Sequence, residues 1–203
     1  MEKIKNYYEF YLDKYKIGHK AVNWGSKRAQ QIRFEKMMDL PNLENSSLLD
    51  VGCGLGHLTK FLKTKNFKTK YLGVDISKKM IEAAKKTNNK HDKKFYVCDI
   101  LTKKKSAFLK KDYVVNCGVF TVKSNYTNDE WWKFISKMLI RMFELSRKGI
   151  AFNLLTDKVD YKEKHLFYVS HEKIINFAVK NLSEKIICKK NPQVWENVYY
   201  VFK

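Results

Sequence analysis

The residues best suited to chemistry are three acids and a run of glycines. Asp50 opens DVGCGLG, in which Gly52, Gly54 and Gly56 alternate with Cys53 and Leu55. Asp75 ends YLGVD, nineteen positions after Gly56, and Asp99 ends FYVCD on the next apolar run. Glycines at this spacing permit a tight turn and let a ligand approach bare backbone, and a helix after the turn offers free N–H groups. The dinucleotide fingerprint G-x-G-x-x-G fails in both registers, because His57 and Thr59 stand where its last glycine would. No Lys-Ser/Thr pair directly follows the last glycine, so the phosphate-cradling P-loop fails as well. An acid two positions ahead of the first glycine suits a cationic ligand and would repel a pyrophosphate. Asp75 sits about where a ribose-binding acid is expected, ~20 residues onward. A carboxylate accepting from two vicinal hydroxyls there gains charge-assisted bonds of ~1.5–3 kcal/mol each. Asp99 can accept from an adenine amino group, with Ile100 covering the ring face.

These residues need a scaffold that brings three strand ends together. Up to about Leu40 the chain reads as two helices, the second capped by Ser26 and ended by Pro41. Strands and helices then alternate: strands at Leu48–Val51, Lys70–Val74, Phe95–Cys98, Tyr113–Asn116 and Gly149–Leu154. Between them lie helices from His57 to about Lys65, after a Ser77 cap, weakly around Ala107–Leu109, and over Asn128–Ser146. Short βα units in this order predict an α/β fold, with a doubly wound, mostly parallel sheet of seven strands. The tail predicts a helix near His171–Asn181 and two β-rich runs, Lys185–Lys189 and Val194–Phe202, joined by KNPQ. That C-terminal hairpin requires one antiparallel strand. The 203 residues suit a single domain: a helical cap (1–40), a ligand-binding core (47–154), and a substrate-side loop, helix and hairpin (155–203).

Composition narrows the partners. The net charge is +20, and a basic face concentrates polyanions. It is built from 37 Lys against 4 Arg, spread along the chain beside 15 Asn. AT-rich coding produces the same bias, and phosphate and base readers favour the bidentate fork of Arg. A nucleic-acid partner therefore stays open but is not favoured. Cys53, Cys98, Cys117 and Cys188 form no CxxC pair, so neither zinc nor a disulfide framework is expected. No apolar run approaches the ~20 residues of a membrane span, and the charged N-terminal residues do not read as a secretory signal. A cytoplasmic location is expected.

In order and spacing, DVGCGLG, GVDIS, VCDI and DYVVNCGVF resemble the signature motifs of class I S-adenosylmethionine-dependent methyltransferases, from about Ser47 to Leu154. The resemblance implies a Rossmann-like fold, S-adenosylmethionine as cofactor and S-adenosylhomocysteine as product. It sets Asp50, Gly52, Cys53, Gly54, Leu55 and Gly56 at the methionine moiety, Asp75 at the ribose and Asp99 with Ile100 at the adenine. Ile76 and Met80 join the cofactor contacts, as do Asn116, Cys117 and Gly118 in the turn Asn116–Phe120, which closes over the methionine end and the acceptor. The flanks, Trp24-Gly25-Ser26, Arg33-Phe34, Asn153-Leu154-Leu155, Asp160-Tyr161 and Leu166-Phe167-Tyr168, are similar to a small bacterial subgroup of this class. On that likeness Trp24 is a further cofactor contact and Arg33 pairs with the cofactor carboxylate. The subgroup carries an acid where this chain has His57.

Methyl transfer is an in-line displacement, in which catalysis is mostly positioning and desolvation. An amine acceptor needs little beyond loss of a proton, whereas a hydroxyl needs a general base. The candidates are His57, His165, His171, Asp160 and Tyr168; His171 reads as a structural helix start. His165 and Tyr168, in the loop after the fifth strand, are the favoured substrate contacts. Asn116 is not followed by Pro-Pro-aromatic, and no Pro precedes a Cys, which removes the base-modifying DNA enzymes. A small-molecule acceptor remains, with a sugar or glycan-precursor hydroxyl preferred, and its roof is expected from the N-terminal helices, Trp24 and the loop Thr156–Tyr168. An RNA- or tRNA-directed methyltransferase and a non-catalytic S-adenosylmethionine-binding protein are the alternatives. Nothing in the sequence ranks oligomeric states.

Overall fold

The computed structural model describes residues 1–88, 94–102 and 109–203. In chain order it contains α1 (Glu2–Tyr15), α2 (Lys27–Met37), β1 (Ser47–Val51), α3 (His57–Thr64), β2 (Lys70–Asp75), α4 (Lys78–Thr87), β3 (Phe95–Val97) and β4 (Lys111–Asn116). There follow α5 (Asn128–Leu145), β5 (Ser146–Thr156), β6 (Tyr168–Val169), α6 (His171–Asn181), β7 (Ile186–Asn191) and β8 (Glu196–Phe202). The weak helix expected around Ala107–Leu109 lies mostly outside the described residues.

Local chemistry sets the helix starts. Ser26 and Ser77 cap α2 and α4 as their positions predict, accepting from the N–H groups of Ala29 and Met80. Thr127 and Glu130 form a reciprocal capping box at the head of α5. Helix α2 stops at Met37, short of Leu40, because the residue before a proline is pushed out of the helical region.

The sheet path runs β3-β2-β1-β4-β5-β8-β7. Its strands are parallel except β8, which pairs antiparallel with both β5 and β7. The seven-stranded path is the expected one, but β8 lies inside the sheet and leaves β7 at the edge. An eighth, two-residue strand was not foreseen: β6 pairs with the end of β5, Leu155 opposite Tyr168. It forms because β5 continues to Thr156, beyond the expected Leu154, and its last backbone groups need partners.

Successive side chains of a strand face opposite layers. On β1, Leu49 and Val51 join Trp131, Ile135 and Met138 of α5 on one side of the sheet. Leu48 joins Phe34 of α2, Leu58 and Leu62 of α3 and Ile81 of α4 on the other. The strand order reverses between β1 and β4, where a doubly wound sheet opens a crevice at the carboxyl ends of its strands. Among the described residues, no helix is long and apolar enough to cross a membrane.

Candidate active site

The glycine loop leaves β1 at that crevice. Gly52 has φ 76°, and a Cβ there would lie 2.2 Å from Cγ2 of Val119, so only glycine fits. The N–H groups of Gly52 and Cys53 donate to the carbonyl of Val74 at 2.8 and 3.0 Å, which ties the loop to β2. Asp75, at the end of β2, accepts from the N–H of Gly54 at 3.0 Å and from that of Ser77 at 2.9 Å. One carboxylate thus orders both the glycine loop and the start of α4. Burial raises its pKa, opposed by these backbone donors.

Asp50 is 3% exposed, and Tyr71 donates to its Oδ2 at 2.7 Å. Burial pushes its pKa up to about 7, with the Tyr71 hydroxyl opposing and the Asp75 charge adding to the rise. Asp99 follows β3 and accepts from the N–H of Leu101 at 2.9 Å, which turns the chain beside Ile100.

These groups line one cleft of about 1110 Å³, counted out to its open mouth. Asp50, Gly52, Cys53, Gly54 and Leu55 form its floor, and Asp75, Ile76, Met80, Asp99 and Ile100 one flank. Trp24, Cys117 and Gly118 stand at the end over β4. Gly56 is packed against the Phe95 ring as the cap of α3. Asn116 is fully buried; its Nδ2 donates to the Val51 carbonyl at 3.0 Å, while its Oδ1 has no hydrogen-bond partner among the described residues.

Five expected site residues are absent from that lining: the buried Gly56 and Asn116, and Arg33, His165 and Tyr168. The carboxylate that meets Arg33 is a side chain of this chain, Glu196: Nε lies 2.8 Å and Nη2 2.7 Å from its Oε1. A partner 163 positions away leaves no trace in local spacing. His165 and Tyr168 are absent from the described cleft lining. The His165 ring is half-exposed near Glu163, and the Tyr168 hydroxyl accepts from the Glu163 N–H at 3.1 Å. Pairing with β5 holds Tyr168 in the sheet layer rather than in a loop free to fold over the cleft.

Further lining residues come from the N-terminal helices, the turn 116–120 and α5. Ile4, Lys5 and Tyr8 of α1 roof the cleft, and Gln30, Val119, Phe134 and Met138 complete its wall. The i, i+4, i+8 spacing of Ile4, Tyr8 and Leu12 was the available signal of a covered face. His57 also lines the cleft, its Nδ1 lying 3.0 Å from Nε2 of Gln30. Burial, helped by Lys60 and His19, lowers its pKa to about 4, so the ring is neutral at pH 7.

The family described as a methyltransferase domain matches residues 42–199. Rv1506c of Mycobacterium tuberculosis, which carries a provisional methyltransferase name, is 28% identical over 142 residues, covering 69% of this chain and 82% of that protein. Magnesium protoporphyrin IX methyltransferase of Synechocystis PCC 6803, solved with bound S-adenosylhomocysteine, superposes with a TM-score of 0.72 at 15% identity, over 100% of this chain and 99% of that one. Phospholethanolamine N-methyltransferase 2 of Haemonchus contortus gives a TM-score of 0.68 at 15% identity, over 98% of this chain and 56% of that one. At such identity the structural likenesses establish the fold, and the family match supplies the chemistry. The chain belongs to the methyltransferase-domain family and is a class I S-adenosylmethionine-dependent methyltransferase.

Proposed function

We propose that this methyltransferase acts on a small molecule. The observation that carries the reading is the roof over its cleft. Helix α1 is tied down near one end by Glu9, which accepts from Ser77 Oγ at 2.6 Å, and by an ion pair of Asp13 with Lys79 at 3.1 Å. Near its other end Lys3 lies over the Tyr126 ring, 5.5 Å from the centroid. A roof of Ile4 and Tyr8 suits a compact acceptor better than a base or side chain borne on a macromolecule.

The donor set fits S-adenosylmethionine: three carboxylates on one cleft, and a glycine loop whose tight turn at Gly52 a Cβ would block by striking Val119. Asp75 would hold the ribose hydroxyls through the lone pairs left over from Gly54 and Ser77. Asp99 and Ile100 would take the adenine, and Asp50 with Gly52–Leu55 the methionine portion. When bound, the cofactor supplies a sulfonium methyl group open to displacement by a nucleophile. The residues around it position the acceptor and exclude water, which is most of what such a displacement requires.

Within the small-molecule class, a sugar or glycan-precursor hydroxyl is the finer reading. Such an acceptor must lose a proton; His57 is the imidazole that the described cleft residues offer, and with burial holding its pKa at about 4 it suits a hydrogen bond to the hydroxyl better than proton removal. A cytoplasmic site of action is part of the same proposal. The test is incubation of the full chain with methyl-labelled S-adenosylmethionine and separate panels of sugars and glycan precursors, amines, total tRNA and protein. Label in a low-mass product is the expected result. Label confined to tRNA or protein would overturn the reading, and no transfer to any panel would favour a non-catalytic binder.

A further inference from the structure

Behind the β4 end of the cleft lies a closed ring of contacts whose central member, Glu196, belongs to none of the motifs above. Glu196, at the start of β8, has a side chain only 1% exposed, and that of its partner Arg33 is 12% exposed. Glu196 Oε1 accepts from Arg33 Nε at 2.8 Å and lies 2.7 Å from Nη2; its Oε2 accepts from Asn153 Nδ2 at 2.7 Å. Asn153, buried on β5, accepts through Oδ1 from the N–H of Gly118 at 2.8 Å. The Arg33 guanidinium carbon lies 4.5 Å from the centre of the Trp24 ring. The indole edge presses on Gly118 so closely that a Cβ there would lie 2.7 Å from its Cζ2 and Cη2. Of these five residues, Trp24 and Gly118 line the cleft; Arg33, Asn153 and Glu196 stand behind them.

We propose that Glu196 is a positioning residue: by anchoring Arg33 with one oxygen and Asn153 with the other, it fixes Trp24 against Gly118 and so sets the cleft wall at the end remote from Asp99. The inference rests on reading this cleft as the cofactor site. A buried ion pair seldom adds net stability over well-packed apolar side chains, because desolvation consumes most of the attraction. What a carboxylate adds here is direction. Two in-plane donors orient the guanidinium, whose flat face then backs the indole. Gly118, at φ 89°, supplies the opposing surface, and its N–H donates to Asn153, which the second oxygen of the same carboxylate holds. A glutamine could accept on one oxygen only, so Glu196→Gln must break one arm.

The test uses the full chain with S-adenosylhomocysteine as probe. Trp24 emission is isolated as the difference between the wild type and Trp24→Phe. Acrylamide quenching of that component and the release rate of the probe are then compared in Glu196→Gln and in the double variant Arg33→Met with Glu196→Met. Both should expose Trp24, raising its quenching constant about threefold, and speed probe release about tenfold. The apolar double variant should melt at or above the wild-type temperature, which separates wall position from global stability. Wild-type shielding and release in the double variant would overturn the proposal, since the pair would then only fill space. If the double variant does not fold, the isosteric Glu196→Gln gives the same two readouts, and an unchanged Trp24 signal there overturns the proposal equally. Failure of the wild type to bind the probe would refute the reading of the cleft, whereas the quenching comparison tests the Trp24 contact by itself.

Discussion

The hydroxyl of Ser77 donates to Glu9 at 2.6 Å while its oxygen accepts from the Met80 N–H at 3.1 Å. One atom therefore caps α4 and fastens α1 across the cleft. Glu9→Gln should leave the cap intact and weaken the fastening by about 1 kcal/mol, seen in stopped flow as roughly fivefold faster release of S-adenosylhomocysteine. Ser77→Ala removes both functions. It should also cost about 1 kcal/mol of stability, a fall in melting temperature of roughly 2–4 °C for a chain of this size. Equal release rates in Glu9→Gln and the wild type would show that α1 is not the roof.

Asp75 organises two backbone donors before any ligand arrives. Asp75→Ala should weaken S-adenosylmethionine binding by about 100-fold, as expected for loss of charge-assisted bonds of ~1.5–3 kcal/mol each. Asp75→Asn keeps one acceptor oxygen and should lose less. Calorimetry reads both, and an Ala variant binding within threefold of the wild type would remove Asp75 from the cofactor contacts.

Asp50 and His57 titrate in opposite senses. With its pKa raised to about 7, Asp50 in the native chain keeps a proton that the unfolded chain has released. Its contribution is present at about pH 4 and is lost as pH rises through 7. His57, lowered to about 4, stays neutral in the native chain while the unfolded chain protonates. Its effect therefore destabilises as pH falls from about 6.5 to 4. Urea melts from pH 4 to 8 should show the His57→Asn variant losing less stability on the acid side.

The same linkage reaches the ligand. A cationic cofactor favours ionised Asp50, so binding should tighten between pH 6 and 8 with proton release at pH 6. Calorimetry in buffers of different ionisation enthalpy measures that release. Asp50→Asn should reduce it, and an unchanged proton count would detach Asp50 from the cofactor.

Gly52→Ala would put a methyl group 2.2 Å from Val119 Cγ2, on a residue at φ 76°. Strain and overpacking should together cost about 2–4 kcal/mol. The displaced Val119 carries the turn after β4 with it, so cofactor affinity should fall further than stability. A variant that melts like the wild type and binds as well would show that this contact can yield freely.

The glycine loop, the acids at three strand ends and the Ser26 and Ser77 caps were legible in the chain because each is a local event. A glycine at positive φ, a hydroxyl before a helix and an acid ending an apolar run all leave their mark within a few residues. The resemblance carried by Ser47–Leu154 then pointed to the cofactor. Longer-range relations left no such mark. Arg33 and Glu196 are 163 positions apart, and no periodicity announces that pairing. The hairpin was legible from its β-rich runs, but its insertion beside β5 depends on which buried faces match. The sequence places Tyr168 in a loop, whereas the last two residues of β5 pair with Tyr168 and Val169 as a strand. A roof from the N-terminal helices is expected from the sequence, but the contacts of α1 with Ser77, Lys79 and Tyr126 that fasten it are long-range. Dihedral preference is a property of residue type, so the sequence determined the loop and the strand-end acids. Which distant side chains meet is decided by packing the whole chain at once, so the cleft wall and the fastening of its roof belong to the tertiary structure.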